Sequence, residues 1–244
     1  MQFLFSNSHD PAYNLALEEI LFKEETAEYC LMYVNSPCVV IGSNQVFQRE
    51  VNEEYCKANN IPVFRRITGG GAVYHDMGNL IYSFITNRRE DTLSGSFLDP
   101  VIEILKSYGL NAFAGKRKDL WMPGEFKISG TASHLNSLRV IQHGTLLYDA
   151  DLSKLQTALQ SEKLHLIETK GIASVPSPVK NIRQFLSDQN TQNQESNVFF
   201  REFSKALAGF LNCENAEDLQ KQLHPKIVLL RDSKYSSDQW NKKK

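Results

Sequence analysis

The sequence predicts a mixed α+β fold, short strands interleaved with amphipathic helices in one domain, residues 1–244. Two observations carry the prediction. Apolar residues recur at helical spacing in stretches such as residues 97–108 and 198–211, and elsewhere gather into short runs of strand length bounded by Gly, Pro or Asn. A third sets the scale: 244 residues with 41% apolar content can bury a sizeable core, and no linker divides the chain.

Asp10 and Pro11 suit the N-cap and first position of a helix, and Leu15, Leu17, Ile20 and Leu21 give residues 14–22 an apolar face. Residues 30–34 and 38–41, separated by Asn35-Ser36-Pro37, read as a hairpin that ends in the small polar loop Gly42-Ser43-Asn44-Gln45. Residues 51–59 read as a short helix stopped at Asn60, followed by a strand at 61–64. Leu80, Tyr82 and Phe84 alternate with Ile81, Ser83 and Ile85, so residues 79–85 form a strand buried on at least one face. Residues 91–96 read as a loop. Residues 97–108 read as a helix, with Val101, Ile104, Leu105 and Tyr108 on one face and Gly109 as its C′ glycine.

Short strands are expected at residues 111–114, 119–122, 126–133 and 140–148, with a turn at Pro123-Gly124. Residues 151–159 read as a helix opened by Asp151. Pro176 and Pro178 keep residues 172–179 extended or looped. Residues 187–196 are polar and read as a mobile surface loop. The helix at 198–211 is expected to pack through Phe199, Phe203, Leu207 and Phe210.

A net charge of −1 gives no global field toward nucleic acid or membrane. No apolar run is long enough for a transmembrane helix, and the N-terminus turns polar too soon for a signal peptide. The four cysteines, Cys30, Cys38, Cys56 and Cys213, form no C-x-x-C pair and read as reduced thiols of a cytoplasmic protein. Lys242-Lys243-Lys244 reads as a solvated tail.

The chemistry centres on Arg-Arg-Ile-Thr-Gly-Gly-Gly-Ala-Val-Tyr-His-Asp-Met-Gly-Asn, residues 65–79. Gly69, Gly70 and Gly71 in a row let backbone N–H groups lie against a ligand and form an anion-binding concavity. Arg65 and Arg66 add positive charge at its edge, and a guanidinium holds phosphate or carboxylate by two hydrogen bonds. The stretch matches neither the dinucleotide fingerprint nor the P-loop; the plain alternative is a glycine-rich hairpin. Lys127, between apolar neighbours and followed by Ser129 and Gly130, reads either as a point cation aimed into a low-walled pocket or as a solvent-facing strand lysine. His143 beside Gly144 is a ligand donor or a hydrogen-bonded sheet residue. Asp76 either assists a metal–phosphate site or orders its own loop, and Asp119 is a candidate magnesium or ribose partner. Together these groups fit adenylate transfer to a carboxylate, in which cations neutralise charge developing on phosphorus and no side-chain nucleophile is needed.

The chain resembles the lipoate–protein ligase A family, within the wider biotin/lipoate ligase group. The resemblance is carried by residues 11–19, Pro-Ala-Tyr-Asn-Leu-Ala-Leu-Glu-Glu, by residues 65–79, by Asp119-Leu120, Lys127-Ile128-Ser129-Gly130 and His143-Gly144-Thr145-Leu146-Leu147, and by residues 170–175 and 236–241. It implies mixed β-sheets flanked by helices, the biotin/lipoate ligase catalytic fold. It implies that lipoate and ATP give lipoyl-adenylate and pyrophosphate, with Mg2+, and that a carrier lysine then takes the lipoyl group. By position, Thr68, Gly69, Gly70 and Gly71 would line the intermediate, and Arg66 would hold its carboxyl or phosphate region. Lys127 would contact the acyl carbonyl and the α-phosphate, Asp119 the magnesium or phosphates, while Asn79 and His143 would border the lipoyl pocket or carbonyl, with Ser129 and Gly130 nearby. The implied partners are lipoyl domains of 2-oxoacid dehydrogenase complexes or the glycine-cleavage H protein.

Some positions depart from the family pattern. The accessory C-terminal domain of larger ligases is expected to be absent, which would call for a separate accessory protein. Ser43 stands where the family often has arginine, Pro176 and Pro178 replace arginines of some relatives, and Asp238-Gln239 replaces the usual tryptophan–glutamate. The rival reading is a lipoyl or octanoyl transferase acting from lipoyl-adenylate or an acyl carrier without ATP. Such transferases use a pocket cysteine, which this chain lacks between Lys127 and His143, and Gly71 fits the ligase pattern. A non-catalytic binding module would not need Lys127, Arg66 and Asp119, and a biotin ligase fits residues 65–79 less well.

Overall fold

The fold was analysed in a computed structural model that describes residues 1–90, 95–161, 174, 177–187 and 189–243. In chain order the strands are β1 (Gln2–Phe5), β2 (Tyr29–Val34), β3 (Cys38–Ile41), β4 (Val63–Arg65), β5 (Val73–His75), β6 (Asn79–Asn87), β7 (Phe113–Ala114), β8 (Leu120–Met122), β9 (Phe126–Ser129), β10 (Thr131–Leu135), β11 (Arg139–Leu147) and β12 (Glu214–Asn215). The helices are α1 (Pro11–Lys23), α2 (Phe47–Glu50), α3 (Glu53–Ala58), α4 (Asp99–Ser107), α5 (Leu152–Ala158), α6 (Gln189–Gln192), α7 (Ser196–Phe210), α8 (Glu217–Leu230) and α9 (Asp238–Asn241). The α+β reading is correct.

A six-stranded mixed sheet runs β10-β11-β6-β2-β1-β12. Its period of two feeds two cores at once. Leu80, Tyr82 and Phe84 of β6, with Cys30, Met32 and Val34 of β2, face a core closed by α4 and α7. Ile81 and Ile85, with Leu31 and Tyr33, face a second core closed by α1 and α8. Strand β6 is therefore buried on both faces. Three-stranded sheet β4-β3-β5 packs Val39 and Ile41 against α3 and α5, and turns Val40 back toward the second core. A third sheet, β7-β8-β9, covers the first core with Leu120, Met122 and Ile128. Each large apolar side chain fully buried in these cores contributes about 1.5–3 kcal/mol.

Local chemistry sets the helix ends. Asp10 caps α1 by accepting from the Ala12 amide at 2.9 Å, and Pro11 occupies its first turn. Asp151 caps α5 by accepting from the Lys154 amide at 3.0 Å. Gly109 takes φ +76° just beyond α4.

The structure corrects several sequence expectations. β2 and β3 are not a hairpin: β2 pairs with β1 and β6, whereas β3 pairs with β4 and β5 in another sheet. The expected strand at 126–133 breaks at Gly130 into β9 and β10, which join different sheets. The polar stretch 187–196 contains the short helix α6. On α7, Phe200 is buried at 1% exposure, while Phe210 is 52% exposed. The closing lysines are not all solvated tail, because the Lys243 carbonyl accepts from Arg65 at 3.0 Å and its ammonium lies 3.9 Å from the Trp240 ring centre. The expected loop at 91–96 falls largely on residues 91–94, which lie outside the described residues, as do residues 172, 173, 175 and 176.

Candidate active site

β4 delivers two arginines that point in different directions. Arg65 is 1% exposed and reaches away from the glycines, donating to the Gly42, Gln45, Trp240 and Lys243 carbonyls at 3.0, 2.6, 3.1 and 3.0 Å. Its charge holds the chain's closing segment rather than the edge of the glycine concavity, which corrects that expectation. Arg66 turns inward. Its Nε donates to Thr68 Oγ1 at 2.8 Å, one terminal nitrogen to the Val40 carbonyl at 3.1 Å, and the other to the Gly69 and Gly71 carbonyls at 2.5 and 2.8 Å. Burial lowers its pKa to about 10, against the opposing pull of Glu18 and Tyr33. Arg66 therefore winds the glycine loop around itself. Gly70 takes φ +85°, and a Cβ on Gly42 would run into the Gly70 carbonyl oxygen, so both positions require glycine.

A buried polar line crosses beneath the loop. Thr68 Oγ1 lies 2.9 Å from His143 Nε2, and His143 Nδ1 lies 2.9 Å from Glu18 Oε1. Arg66 donates to Thr68, the Thr68 hydroxyl pairs with the imidazole Nε2, and the imidazole Nδ1 pairs with the Glu18 carboxylate, so every member has a partner. His143 stands on β11, opposite Ala132 of β10. Gly144 next to it lets the Tyr82 ring cross the strand, since a Cβ there would overlap the Tyr82 hydroxyl.

The third sheet supplies the other polar group. Lys127 Nζ lies 3.0 Å from Asp119 Oδ2, with side chains 18% and 4% exposed. Burial pushes the Asp119 carboxyl up, but hydrogen bonds from Trp121 and Lys127, with the Lys127 charge, outweigh it and hold it below the usual range. The Lys127 backbone is pinned by its own amide to the Pro178 carbonyl at 2.8 Å and by the Lys180 amide to its carbonyl at 3.1 Å.

These elements enclose a cavity of about 330 Å³. Leu15, Tyr33, Val40, Val73 and Ile81 give it an apolar portion continuous with the second core. Lys127, Asp119, Arg117 and Thr131 give it a polar portion. Of the residues expected from sequence, Arg66, Gly70, Gly71, Asp119, Lys127, Gly130 and His143 line this cavity. Thr68 and Gly69 stand behind the lining: the Thr68 hydroxyl and the Gly69 carbonyl are both held by Arg66. Two more of the expected residues stand outside the lining. Asn79 is wholly buried at the start of β6 beside the Tyr74 carbonyl, and the Ser129 hydroxyl faces the Tyr82 hydroxyl at 3.1 Å; neither lines the cavity. Asp76 takes the loop-ordering role, accepting from the Gly78 and Asp151 amides at 2.9 and 2.8 Å.

Sequence reasoning missed the role of Glu18, although Leu15 and Phe22 place it on the inner face of α1 by helical spacing. It also missed His75 as a lining residue, and Ser174. The Ser174 hydroxyl donates to Glu50 Oε2 at 2.5 Å and accepts from the Ala72 amide at 2.9 Å, which holds it over Gly71. None of the cysteines lines the cavity; Cys30, Cys38 and Cys56 are buried thiols whose pKa values burial raises. Among the described residues no cluster of three His, Cys, Asp or Glu side chains forms a metal cage. No helix among them is long and apolar enough to cross a membrane.

The lipoyl protein ligase A/B catalytic domain family matches residues 10–204. Lipoate–protein ligase 1 of Staphylococcus aureus is 39% identical over 99% of this chain and 73% of its own length. A lipoate–protein ligase of Bacillus subtilis is 42% identical over 77% of this chain, which spans 57% of that relative. A Thermoplasma acidophilum protein with bound lipoic acid superposes with a TM-score of 0.80 at 25% identity, over 99% of this chain and 98% of its own. A bi-partite lipoate protein ligase from T. acidophilum, described with its E2 lipoyl domain, superposes at 0.79 and 25% identity, over 99% and 95%. A lipoate–protein ligase A bound with ATP superposes at 0.79 and 25% identity, over 99% and 98%. With its two-core fold, its arginine-wound glycine loop and the match over most of its length, this chain belongs to the lipoyl protein ligase A/B catalytic domain family.

Proposed function

We propose that this chain is an ATP-dependent lipoate–protein ligase. It activates lipoate to lipoyl-adenylate, releasing pyrophosphate, and passes the lipoyl group to a lysine of a lipoyl domain. The observation that carries the reading is one cavity joining an apolar slot to a Lys127–Asp119 ion pair 3.0 Å apart beside an arginine-wound glycine loop. The apolar walls suit the acyl chain, and the polar portion suits its carboxylate and the α-phosphate.

In the first step the lipoate carboxylate attacks the α-phosphorus and pyrophosphate leaves. In the second the carrier amine attacks the acyl carbonyl and AMP leaves. Negative charge grows first on the α-phosphoryl oxygens and then on the carbonyl oxygen. Fixed cations and N–H donors stabilise both transition states without reorganising. Lys127 supplies that charge, oriented by the ionised Asp119, and Arg66 keeps the glycine loop shaped to receive the anion. Magnesium entering on the ATP phosphates would be held by Asp119 and would neutralise phosphate charge. One carboxylate suits a cation that takes its other ligands from phosphate and water.

The buried cysteines leave the thioester route of an acyl-carrier transferase without a nucleophile in the cavity. We predict that a folded variant with all four replaced by serine or alanine, checked by circular dichroism, keeps lipoyl transfer. An acyl-thioester trapped on any of them by mass spectrometry would contradict this. The proposed carrier is a lipoyl domain of a 2-oxoacid dehydrogenase complex or the glycine-cleavage H protein. ATP–pyrophosphate exchange with lipoate, octanoate and biotin, run with and without an accessory protein, tests the reading. Exchange with lipoate by the chain alone supports it. No exchange even with an accessory protein, together with transfer from synthetic lipoyl-adenylate, would reduce the chain to a transferase.

A further inference from the structure

Trp121 stands on β8 opposite Lys127 of β9, half-buried, and does not line the cavity. Residues directly opposite on neighbouring strands share a face of the sheet, so the indole and the lysine leave it on the same side. The Trp121 indole N–H donates to the Asp119 carboxylate. Gly115 seats this bond: a Cβ there would overlap both Asp119 Oδ1 and Trp121 Nε1, so the two atoms meet over its bare Cα. The turn beneath them is pinned. The Gly115 amide donates to the Asp119 carbonyl at 2.7 Å, the Lys118 amide to the Gly115 carbonyl at 2.9 Å, and Thr131 Oγ1 to the Lys118 carbonyl at 2.5 Å. Asp119 Oδ2 is buried and has, besides the Lys127 ammonium 3.0 Å away, no hydrogen-bond partner among the described residues.

One carboxylate oxygen thus has the indole and the other the ammonium. The terminal torsion of an aspartate is broad, and Lys116, Arg117 and Lys118 immediately precede Asp119 as alternative cations. A partner on Oδ1 removes that freedom. We infer that Trp121 is a positioning residue for both half-reactions: its indole N–H fixes one oxygen of Asp119 so that the other holds the Lys127 ammonium at the polar end of the cavity. The inference deepens the proposed function and rests on it. An indole suits the task because it is a donor only and is neutral. It sets the direction of the carboxylate and leaves the negative charge to Lys127, whereas an arginine or lysine in its place would compete for that charge. A tryptophan that merely packed the small sheet would change stability and leave the rates of the folded chain alone.

Trp121→Phe keeps an aromatic ring in β8 and removes the donor. It is expected to lower single-turnover adenylation and transfer from preformed lipoyl-adenylate about tenfold each, the low end for a hydrogen bond to a charged group. Lipoate affinity by calorimetry should stay at the wild-type value, since Trp121 does not line the cavity. Folded Trp121→Phe at wild-type rates would overturn the inference and leave the ligase reading standing. Made on top of Asp119→Ala, Trp121→Phe should cost nothing further, because it acts through Asp119; the same loss in both backgrounds would show a merely structural role and overturn the inference. The bond itself is read without catalysis, in the proton–nitrogen spectrum of the two tryptophan indoles, which also decides if Trp121→Phe does not fold. Asp119→Ala is expected to move one indole resonance and leave that of Trp240 in place. Two unmoved resonances would overturn the inference whether or not the chain is a ligase, and a wild type inactive in both steps would overturn the ligase reading and the inference with it.

Discussion

The Thr68 hydroxyl is the junction between Arg66 and His143, at 2.8 and 2.9 Å. Thr68→Val keeps the shape and leaves two buried polar groups without a partner. The expected cost is about 2–4 kcal/mol, taking roughly 1–3 kcal/mol per orphaned group. Urea unfolding measures it, and wild-type stability would mean that the hydroxyl joins nothing. His75 leaves a signature in pH. Its ordinary value of 6.5 falls to about 3 in the fold. Between those values the unfolded chain binds the extra proton, so stability rises with pH. The contribution is complete above 6.5 and is lost as pH falls toward 3. Wild-type unfolding midpoints should therefore drop more steeply across that window than those of His75→Phe; parallel curves would contradict the assignment. At this scale the sequence shows which residues carry chemistry but not where each side chain points. Arg65 and Arg66 are neighbours with the same charge, yet one ties down the closing segment and the other winds the glycine loop. Strand alternation foretells opposite directions, but not which direction meets the cavity.

Among the elements, β11 is most constrained, because it spans the main sheet and carries His143 and Thr145 into the cavity. Gly144→Ala places a methyl group against the Tyr82 hydroxyl, which itself faces Ser129. We expect a loss of about 1–3 kcal/mol, as for an overpacked core, and weaker lipoate binding as the strand shifts. Urea unfolding and calorimetry check both, and a variant equal to wild type in the two assays would refute the close fit. Helices α1, α4 and α7 were legible because caps and a 3.6-residue apolar period are local signals. Strand pairing was not. β2 and β3 are short apolar runs joined by Asn35-Ser36-Pro37, the pattern of a hairpin, yet their partners come from distant parts of the chain. Helix α8 was hidden by Pro225 inside it and by its largely polar sequence.

At the scale of the whole molecule, Arg65 ties the chain's closing segment to the rim of the site. The Arg65 amide donates to Asn241 Oδ1 at 2.9 Å, and Trp240 Nε1 donates to the Arg65 carbonyl at 2.7 Å. The same guanidinium holds the Gly42 and Gln45 carbonyls, and Gly42 packs on Gly70. Arg65→Met leaves these carbonyls unpaired and should cost roughly 3 kcal/mol, the upper range for hydrogen bonds to a charged group. The loss should appear as a lower urea midpoint with earlier exposure of Trp240 by fluorescence. A midpoint equal to wild type would contradict the tie. The sequence held the residues 236–241 as a motif, but its partner in β4 lies far away in the chain and no local pattern links them.

The account turns on Lys127 serving both half-reactions from one position beside Asp119. The direct measurement is single-turnover adenylation followed by transfer from preformed lipoyl-adenylate, made on wild type, Lys127→Ala and Lys127→Arg, with circular dichroism as the folding control. The account predicts a loss of about 10²–10³ in rate for Lys127→Ala in each step, the typical cost of removing one preorganised electrostatic contact. Lys127→Arg should recover only part of it, because a planar fork does not replace a compact charge. Folded Lys127→Ala running at wild-type rates in both steps would contradict it.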